Sequence, residues 1–395
     1  MRFFCALVFV FIGSVLVVAA PSGESTPAAG SITPKFAQTA ADMIDYFPVK
    51  LTIDHSELFD VDYYANYKIV TIAKPWPGSE SHLTYVLVQR GTEHPSVPGA
   101  DLMVEIPIRT VVTMSTSYLP HVEMLDVLEA LVGTDAFAWV TSEAVRERID
   151  SGAMQEFGSG PTVNIELLLD LDPDLVMTYG QGTEWDTHPK LREAGIPFAL
   201  NAEWNESEPL ARAEWMKFMA LFFNRGEEAN ELFGAIVARY GALKDLAAGV
   251  GTRPSIFMGS PYQGTWWVSG GDSYAARFFA DAGGDYIWSD DDSTGSLMLD
   301  VESVFDKAGD AEFWLNTGTW TRVGDAISAD ARFATFHAFE TKRIYNNNLR
   351  MGPGGGNDYF ESGPSNPDVI LADIISIIHP ELLPDHERYY YHRLD

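Results

Sequence analysis

Between Tyr46 and Ile108 the apolar positions fall in short runs. YKIVTIA, LTYVLVQ and DLMVEIPI are rich in β-branched and aromatic residues, and Pro and Gly clusters such as KPWPGS and HPSVPGA separate them. Runs of this kind predict strands. From Arg109 the spacing changes. TVVTMS predicts a strand, YLPHVEMLDVLEALVG has apolar positions at helical spacing up to Gly133, and FAWV predicts a short strand. Asn164–Leu171 then predicts a helix and DLVMTY a strand, KLREAG another helix and IPFAL another strand. Alternation of strands and helices implies a parallel sheet with helices on both faces.

Two longer helical runs follow. The first covers Pro209–Phe223, and after Gly226 the run EEANELFGAIVARYGALKDLAAG continues to Gly249. A helix of ~22 residues spans about 33 Å, long for a crossover and suited to a strut. After Arg253 the alternation restarts with PSIFMG, TWWVSG, SYAARFFADAGG, VESVFDKA and AEFWLN. FETKRIYNN leads to a last strand, and DVILADIISIIHPELL predicts the terminal helix. The expected fold is α/β: two lobes with mainly parallel sheets joined by one long rigid helix, plus a β-rich N-terminal extension. The N-terminal lobe takes residues 34–225, with the extension at 34–108. The interlobe helix takes 226–249 and the C-terminal lobe 250–395.

One unit occurs twice. NIELLLDLDPDLVMTYG, Asn164–Gly180, returns as DVESVFDKAGDAEFWLNTG, Asp300–Gly318. Glu166 answers to Glu302, Asp170 to Asp306 and Asp174 to Asp310. Asn164 and Asp300 have the chemistry of helix N-caps, two residues ahead of each glutamate. A carboxylate in a first turn is favoured by the helix dipole, by about 0.3–1 kcal/mol, which accounts for either glutamate alone. It does not account for the same placement in both halves. Equivalent helix starts project from a common face, and two carboxylates there could seat a partner with two basic patches.

Composition narrows the picture. The 395 residues carry a formal charge of −30, which disfavours nucleic acid and favours solubility. Arg2 and the apolar run Phe3–Ala20, with small residues at Val17-Val18-Ala19, predict a signal peptide at 1–20. PSGESTPAAGS predicts a flexible linker at 21–33. If uncleaved, the apolar run is long enough to anchor the chain. The one cysteine is Cys5, inside that run, so the mature chain would hold no disulfide. The expectation is a periplasmic or secreted monomer, soluble after signal cleavage.

Metal and catalytic motifs are weak. Nine histidines form no His-x-His pair and no His-Glu-x-x-His helix. His121, beside Glu123, fits a surface or capping histidine. Gly271-x-Ser273-x-Ala275 approaches a nucleophile elbow but lacks its second glycine, and Ser273 suits a cap for the helix Tyr274–Ala282. A secreted hydrolase using Ser273 is the weaker alternative to a binding protein. MGPGGGND lacks the Lys-Ser/Thr ending of a phosphate loop and fits a flexible loop at a cleft. The sequence carries no ATP-hydrolysis motif.

The chain resembles periplasmic substrate-binding proteins of the iron-siderophore and vitamin B12 class, which deliver ligand to ABC importers. VNIELLLDLDPDLVMTYG carries the resemblance in the first lobe and LDVESVFDKAGDAEFWLN in the second. RAEWMKFMALFFNRGEEANELF, GTWWVSGGDSYAARFFADAGGDYIW and GGGNDYFESGPSNPDVILADIISIIHPELL extend it over roughly Arg109–Leu383. The resemblance implies that Glu166 and Glu302 salt-bridge to arginines of an ABC permease dimer. Many members are lipid-anchored through a cysteine at the end of the signal, which this chain lacks. The resemblance also implies a ligand held between the lobes, where strand ends and loops converge. Those loops contribute Tyr118, Tyr179, Trp185, Trp204, Tyr262, Trp266, Trp267, Trp320, Arg322, Arg350 and Tyr359. Trp266, Tyr179 and Arg322 are the foremost candidates, while about half of these aromatics would serve the core. An aromatic cleft with a few cations suits a large, flat or anionic metal chelate, such as a catecholate or hydroxamate iron complex. Haem or a corrinoid is the alternative cargo. No cofactor beyond this ligand is expected.

Overall fold

The computed structural model describes residues 44–395. The expected signal peptide and linker, and the first residues expected in the N-terminal lobe, lie outside the described residues. Strands β1 (Phe59–Tyr63), β2 (Tyr67–Ala73), β3 (His82–Gln89) and β4 (Leu102–Ile106) form one sheet in that order. β1, β2 and β3 pair antiparallel, and β4 joins β3 in parallel. The predicted extension is therefore a complete sheet.

The next sheet holds β5 (Val111–Thr113), β6 (Leu131–Thr134), β7 (Gln155–Glu156), β8 (Leu175–Thr178) and β9 (Phe198–Leu200). Its order is β7-β6-β5-β8-β9, and every pair is parallel. Helices α1 (Leu119–Met124), α2 (Glu143–Asp150), α3 (Ile165–Leu171) and α4 (His188–Ala194) connect these strands. The helix expected through Gly133 is corrected. α1 stops at Met124, Asp126 turns the chain at a φ of 54°, and the run LVGT becomes β6. Four apolar residues fit either period, and pairing with β5 decides for the strand. Gly133 is needed there because a Cβ would meet the Phe157 ring at 2.3 Å. FAWV is a 3-10 turn at Phe137–Trp139, not a strand.

α5 (Pro209–Phe223) and α6 (Gly226–Ala248) carry the chain from the first half to the second. Asn224, at a φ of 57°, breaks them apart. α5 is buried nearly all round and carries Trp215, Phe218 and Phe222 into one core with Phe59, Val70, Ile72 and Tyr85 of the extension. Lys68 fastens β2 to the end of this helix. Its Nζ donates to the Leu221 carbonyl at 2.9 Å and to Asn224 Oδ1 at 2.8 Å, while burial pulls its pKa down to about 7. α6 gives Phe233 to the first core and Tyr240 and Ala247 to the second.

The second half is built differently. β10 (Ser255–Met258), β13 (Asp285–Tyr286) and β15 (Phe313–Leu315) form a parallel sheet ordered β13-β10-β15. β11 (Pro261–Tyr262), β12 (Thr265–Ser269) and β14 (Ser296–Leu299) form a separate antiparallel sheet, so TWWVSG lies outside the parallel one. Helices α7 (Tyr274–Asp281) and α8 (Val301–Ala308) belong to this unit, followed by α9 (Val323–Ala329) and α10 (His337–Glu340). β16 (Tyr345–Asn346), α11 (Asp358–Glu361), α12 (Pro367–Ile378) and β17 (His392–Arg393) complete the chain. α12 sits on α6 and ends at Ile378, just before His379-Pro380 and short of the expected Leu383. Among the described residues no helix is long and apolar enough to cross a membrane.

Candidate functional site

The doubled unit folds alike in both places. α3 starts with Asn164 accepting from the Leu167 N–H at 3.0 Å, and α8 with Asp300 accepting from the Ser303 N–H at 2.7 Å. Glu166 and Glu302 follow in the first turns, and both are exposed. α3 leads into β8 and α8 into β15. A helix returning to a parallel strand runs antiparallel to it, so each glutamate lies toward the carboxyl edge of its sheet. The two are not equivalent. Arg332 Nη1 lies 3.2 Å from Glu302 Oε1 and also holds Asp330.

That carboxyl edge is where ligands of open parallel sheets bind, at the strand from which the order runs both ways. In the first half this strand is β5, and in the second it is β10. Beyond β5, Ser117 donates to Glu203 at 2.7 Å, and Glu203 also holds Arg212 of α5. The Arg212 guanidinium lies 4.9 Å over the ring of Tyr274 from α7. The first half's loops thus meet the second half's rings around one buried ion pair. In both halves buried polar atoms have no partner among the described residues, among them Thr178 Oγ1, Asn201 Nδ2 and Trp204 Nε1 in the first half and Tyr274 OH and Thr317 Oγ1 in the second. Buried polar atoms are ordinarily paired, so such orphans are candidates to meet water or a polar ligand.

A groove of about 810 Å³ opens between the halves. α1 and the start of α2 form one wall, and Leu349–Pro353, α11 and Tyr389 form the other. The walls are tied by carboxylates. Glu361 accepts from the Thr141 and Ser142 N–H groups at 2.7 Å each, and Asp358 accepts from Thr141 Oγ1 at 3.2 Å. Burial pushes the Glu361 carboxyl up to about 7 despite those donors. The glycine-rich loop closes the same join. A Cβ on Gly354 would lie 2.2 Å from the Ala138 carbonyl oxygen, and one on Gly356 2.0 Å from that of Trp139. The loop expected to be flexible is instead laid backbone against backbone.

Residues 111–347 match the sequence profile of the periplasmic binding protein family, more than half of the chain. The chain belongs to this family. A lipoprotein of Methanocaldococcus jannaschii is 28% identical over 78% of this chain and 79% of its own length. A second lipoprotein of that organism is 23% identical over 73% and 69%. The fold is shared with a possible iron-binding periplasmic solute-binding protein of Staphylococcus epidermidis. It has a TM-score of 0.55 and 15% identity, covering 69% of this chain and 99% of that one. It is shared also with an ABC-type Fe3+-hydroxamate transport protein of Saccharomonospora viridis, with a TM-score of 0.53 and 17% identity over 69% and 94%. The architecture is therefore that of the two-lobed periplasmic solute-binding proteins that serve ABC transporters.

Within this family fold the aromatic candidates separate. Trp266 is fully buried, gives its indole N–H to the Met258 carbonyl at 3.0 Å and packs on Phe257, Trp314, Phe333 and Phe336. Trp320 belongs to the same cluster, and Tyr118 is a core residue whose OH donates to the Asn201 carbonyl at 3.0 Å. All three are buried in the cores of the two halves. Tyr359 is buried against Tyr390 and Tyr391. Tyr179 and Trp204 are half-buried at the ends of β8 and β9, and burial raises the Tyr179 phenol. Trp267 is half-buried, while Trp185 and Tyr262 are exposed. Arg322 is exposed and paired with Asp325 at 3.2 Å. Of the whole set only Arg350 lines the groove.

Other expectations resolve as well. His121 is neither a surface nor a capping residue; it is 1% exposed, and burial drives its pKa down to about 4. Ser273 accepts from the Ala276 N–H at 3.2 Å, as a cap does. Sequence reasoning missed Glu203, Arg212, Asp358 and Glu361. Asp358 and Glu361 left a trace, as two acids within the compact run DYFESGP.

Proposed function

We propose that the protein is an extracytoplasmic solute-binding protein that holds a metal chelate between its halves and delivers it to an ABC permease. The observation that carries the reading is the pair of matched helix starts, Asn164 to Glu166 and Asp300 to Glu302, capped alike and exposed at the carboxyl edges of two sheets. One acidic projection per half suits a dimeric receptor with one basic patch per subunit. Iron complexes are the favoured cargo, since proteins of the same fold are described as iron-binding and as Fe3+-hydroxamate transport components. The groove would supply space for such a cargo, and the unpartnered Tyr274 OH beside Arg212 a hydrogen-bonding group.

Charge reversal of both glutamates, E166K with E302K, tests the delivery step. Cells relying on this protein should lose most chelate uptake, while the purified variant keeps its chelate affinity. Unchanged uptake would remove the docking role, and lost affinity would assign the glutamates to solute binding instead.

A further inference from the structure

Among the described residues two lysines are buried, and they are held differently. Lys217 gives Nζ to the Glu214 carboxylate at 2.7 Å and to the Thr52 carbonyl at 2.6 Å. Lys68 is in no ion pair among the described residues. Its two acceptors are neutral, the Leu221 carbonyl and Asn224 Oδ1. An ammonium carries three N–H donors, whereas a neutral amine carries two and a lone pair. Two acceptors therefore satisfy the neutral amine and leave the ammonium one donor short. The Phe47 ring, 4.6 Å from Nζ, faces the amine and favours the charge. Burial, and then the nearby Lys50, oppose it, and the amine comes down to about 7. Lys50 is itself paired with Asp45 at 2.8 Å.

This amine also has space beside it. Lys68 lines a cavity of about 230 Å³ at the junction of α5 with α6. No lining residue is shared with the groove between the halves. Phe47, Val49, Leu51 and Leu221 make its walls largely apolar. Tyr63 also lines it, and burial raises that phenol, so it stays uncharged. Two carboxylates complete the lining. Glu228 is held by Arg225 at 2.7 Å, and Glu227 is exposed. Those carboxylates and the carbonyl end of α5 disfavour an anion here. A desolvated lysine in an apolar pocket is the usual form of an amine that attacks carbonyl compounds.

We infer that Lys68 is a nucleophilic amine that captures small uncharged aldehydes and ketones in this cavity as an imine. The amine nitrogen bonds to the carbonyl carbon, the C–O bond breaks, and the oxygen leaves as water with the two amine hydrogens. No oxidant or reductant is consumed. When protonated, the imine keeps one N–H for the Leu221 carbonyl, and the negative end of α5 favours that charge. This activity is independent of the solute held between the halves.

Propionaldehyde with cyanoborohydride tests it on the whole protein. The hydride reduces the imine to a stable secondary amine, which peptide mass mapping locates. At pH 7 Lys68 should be labelled about tenfold faster than the exposed Lys74 and Lys342, because an exposed lysine is ordinarily ammonium there. Lys217, buried but paired with a carboxylate, should stay unlabelled. Val49→Trp fills the cavity from an exposed position and should slow labelling of Lys68 while leaving Lys74 unchanged. Pyruvate, an anionic carbonyl compound, should favour Lys68 over Lys74 less than propionaldehyde does. Lys68 labelled no faster than Lys74, or only after unfolding, would overturn the inference, as would undiminished labelling in V49W. An equal preference with pyruvate would overturn the selection for uncharged carbonyls. If V49W fails to fold, the contrast of Lys68 with Lys217 and Lys74 in the unaltered protein still decides.

Discussion

The two halves share one outer unit and differ within. In the first half the central strands are VVT and LVMT, aliphatic or β-branched, inside a five-stranded parallel sheet. In the second half they are SIFM and FWL, inside a three-stranded one. The narrower sheet is filled out by rings. Phe257 and Trp314 stack at 4.9 Å, and Phe333 and Phe336 close over them. Wide sheets can use aliphatic layers, while a small sheet gains more buried area per residue from aromatics. The lesson concerns function too. Aromatic richness in the second half belongs largely to its core, and the surface feature that both halves keep is the capped acidic helix start.

This contrast can be broken at several points. The largest expected effect is from Trp314→Ala, which removes a fully buried ring and an indole bond to the Gly259 carbonyl at 2.8 Å. It should cost about 3–5 kcal/mol in urea unfolding, against about 2 kcal/mol for Val176→Ala in the first sheet. Equal losses would mean the second half does not lean on its rings. Next comes Glu361→Gln at the join of the halves, expected to cost about 1–3 kcal/mol by weakening bonds to two half-buried N–H groups. Its sign with pH is specific. The folded carboxyl is raised from the usual 4.5 to about 7, so the folded state binds the extra proton between those values. The wild-type advantage over E361Q should therefore be greatest near the acid end and decline as pH rises through about 7. A difference that stays flat across that window would show that Glu361 does not titrate as its burial requires. The smallest effects are at the helix starts. Asn164→Ala and Asp300→Ala should each cost about 1 kcal/mol, and by similar amounts if the two units are built alike.

The matched units, β2, β3 and the two long helices were legible in the sequence because caps, glycine breaks and apolar spacing act within a few residues. β6 was not, since LVGT fits two periods and only its neighbours decide. The join of the halves was also hidden. Glu361 meets Thr141 from 220 residues away, and no local pattern announces such a pair. Lys68 misleads in the same way, as a charged residue facing inward that is satisfied by the open end of a distant helix. The candidate site was the least legible part, for a physical reason. An aromatic side chain serves a core and a cleft equally well, and an arginine counts toward a ligand only when no carboxylate of the protein holds it.

The account rests on a solute held between the two halves. Native mass spectrometry of freshly isolated protein, with its visible spectrum, tests this most directly. The predicted result is one small-molecule adduct per chain, with absorption in the visible, both lost on unfolding. A chain that carries no adduct as isolated or after incubation with ferric hydroxamates, and that turns over an ester in a manner abolished by Ser273→Ala, would contradict it.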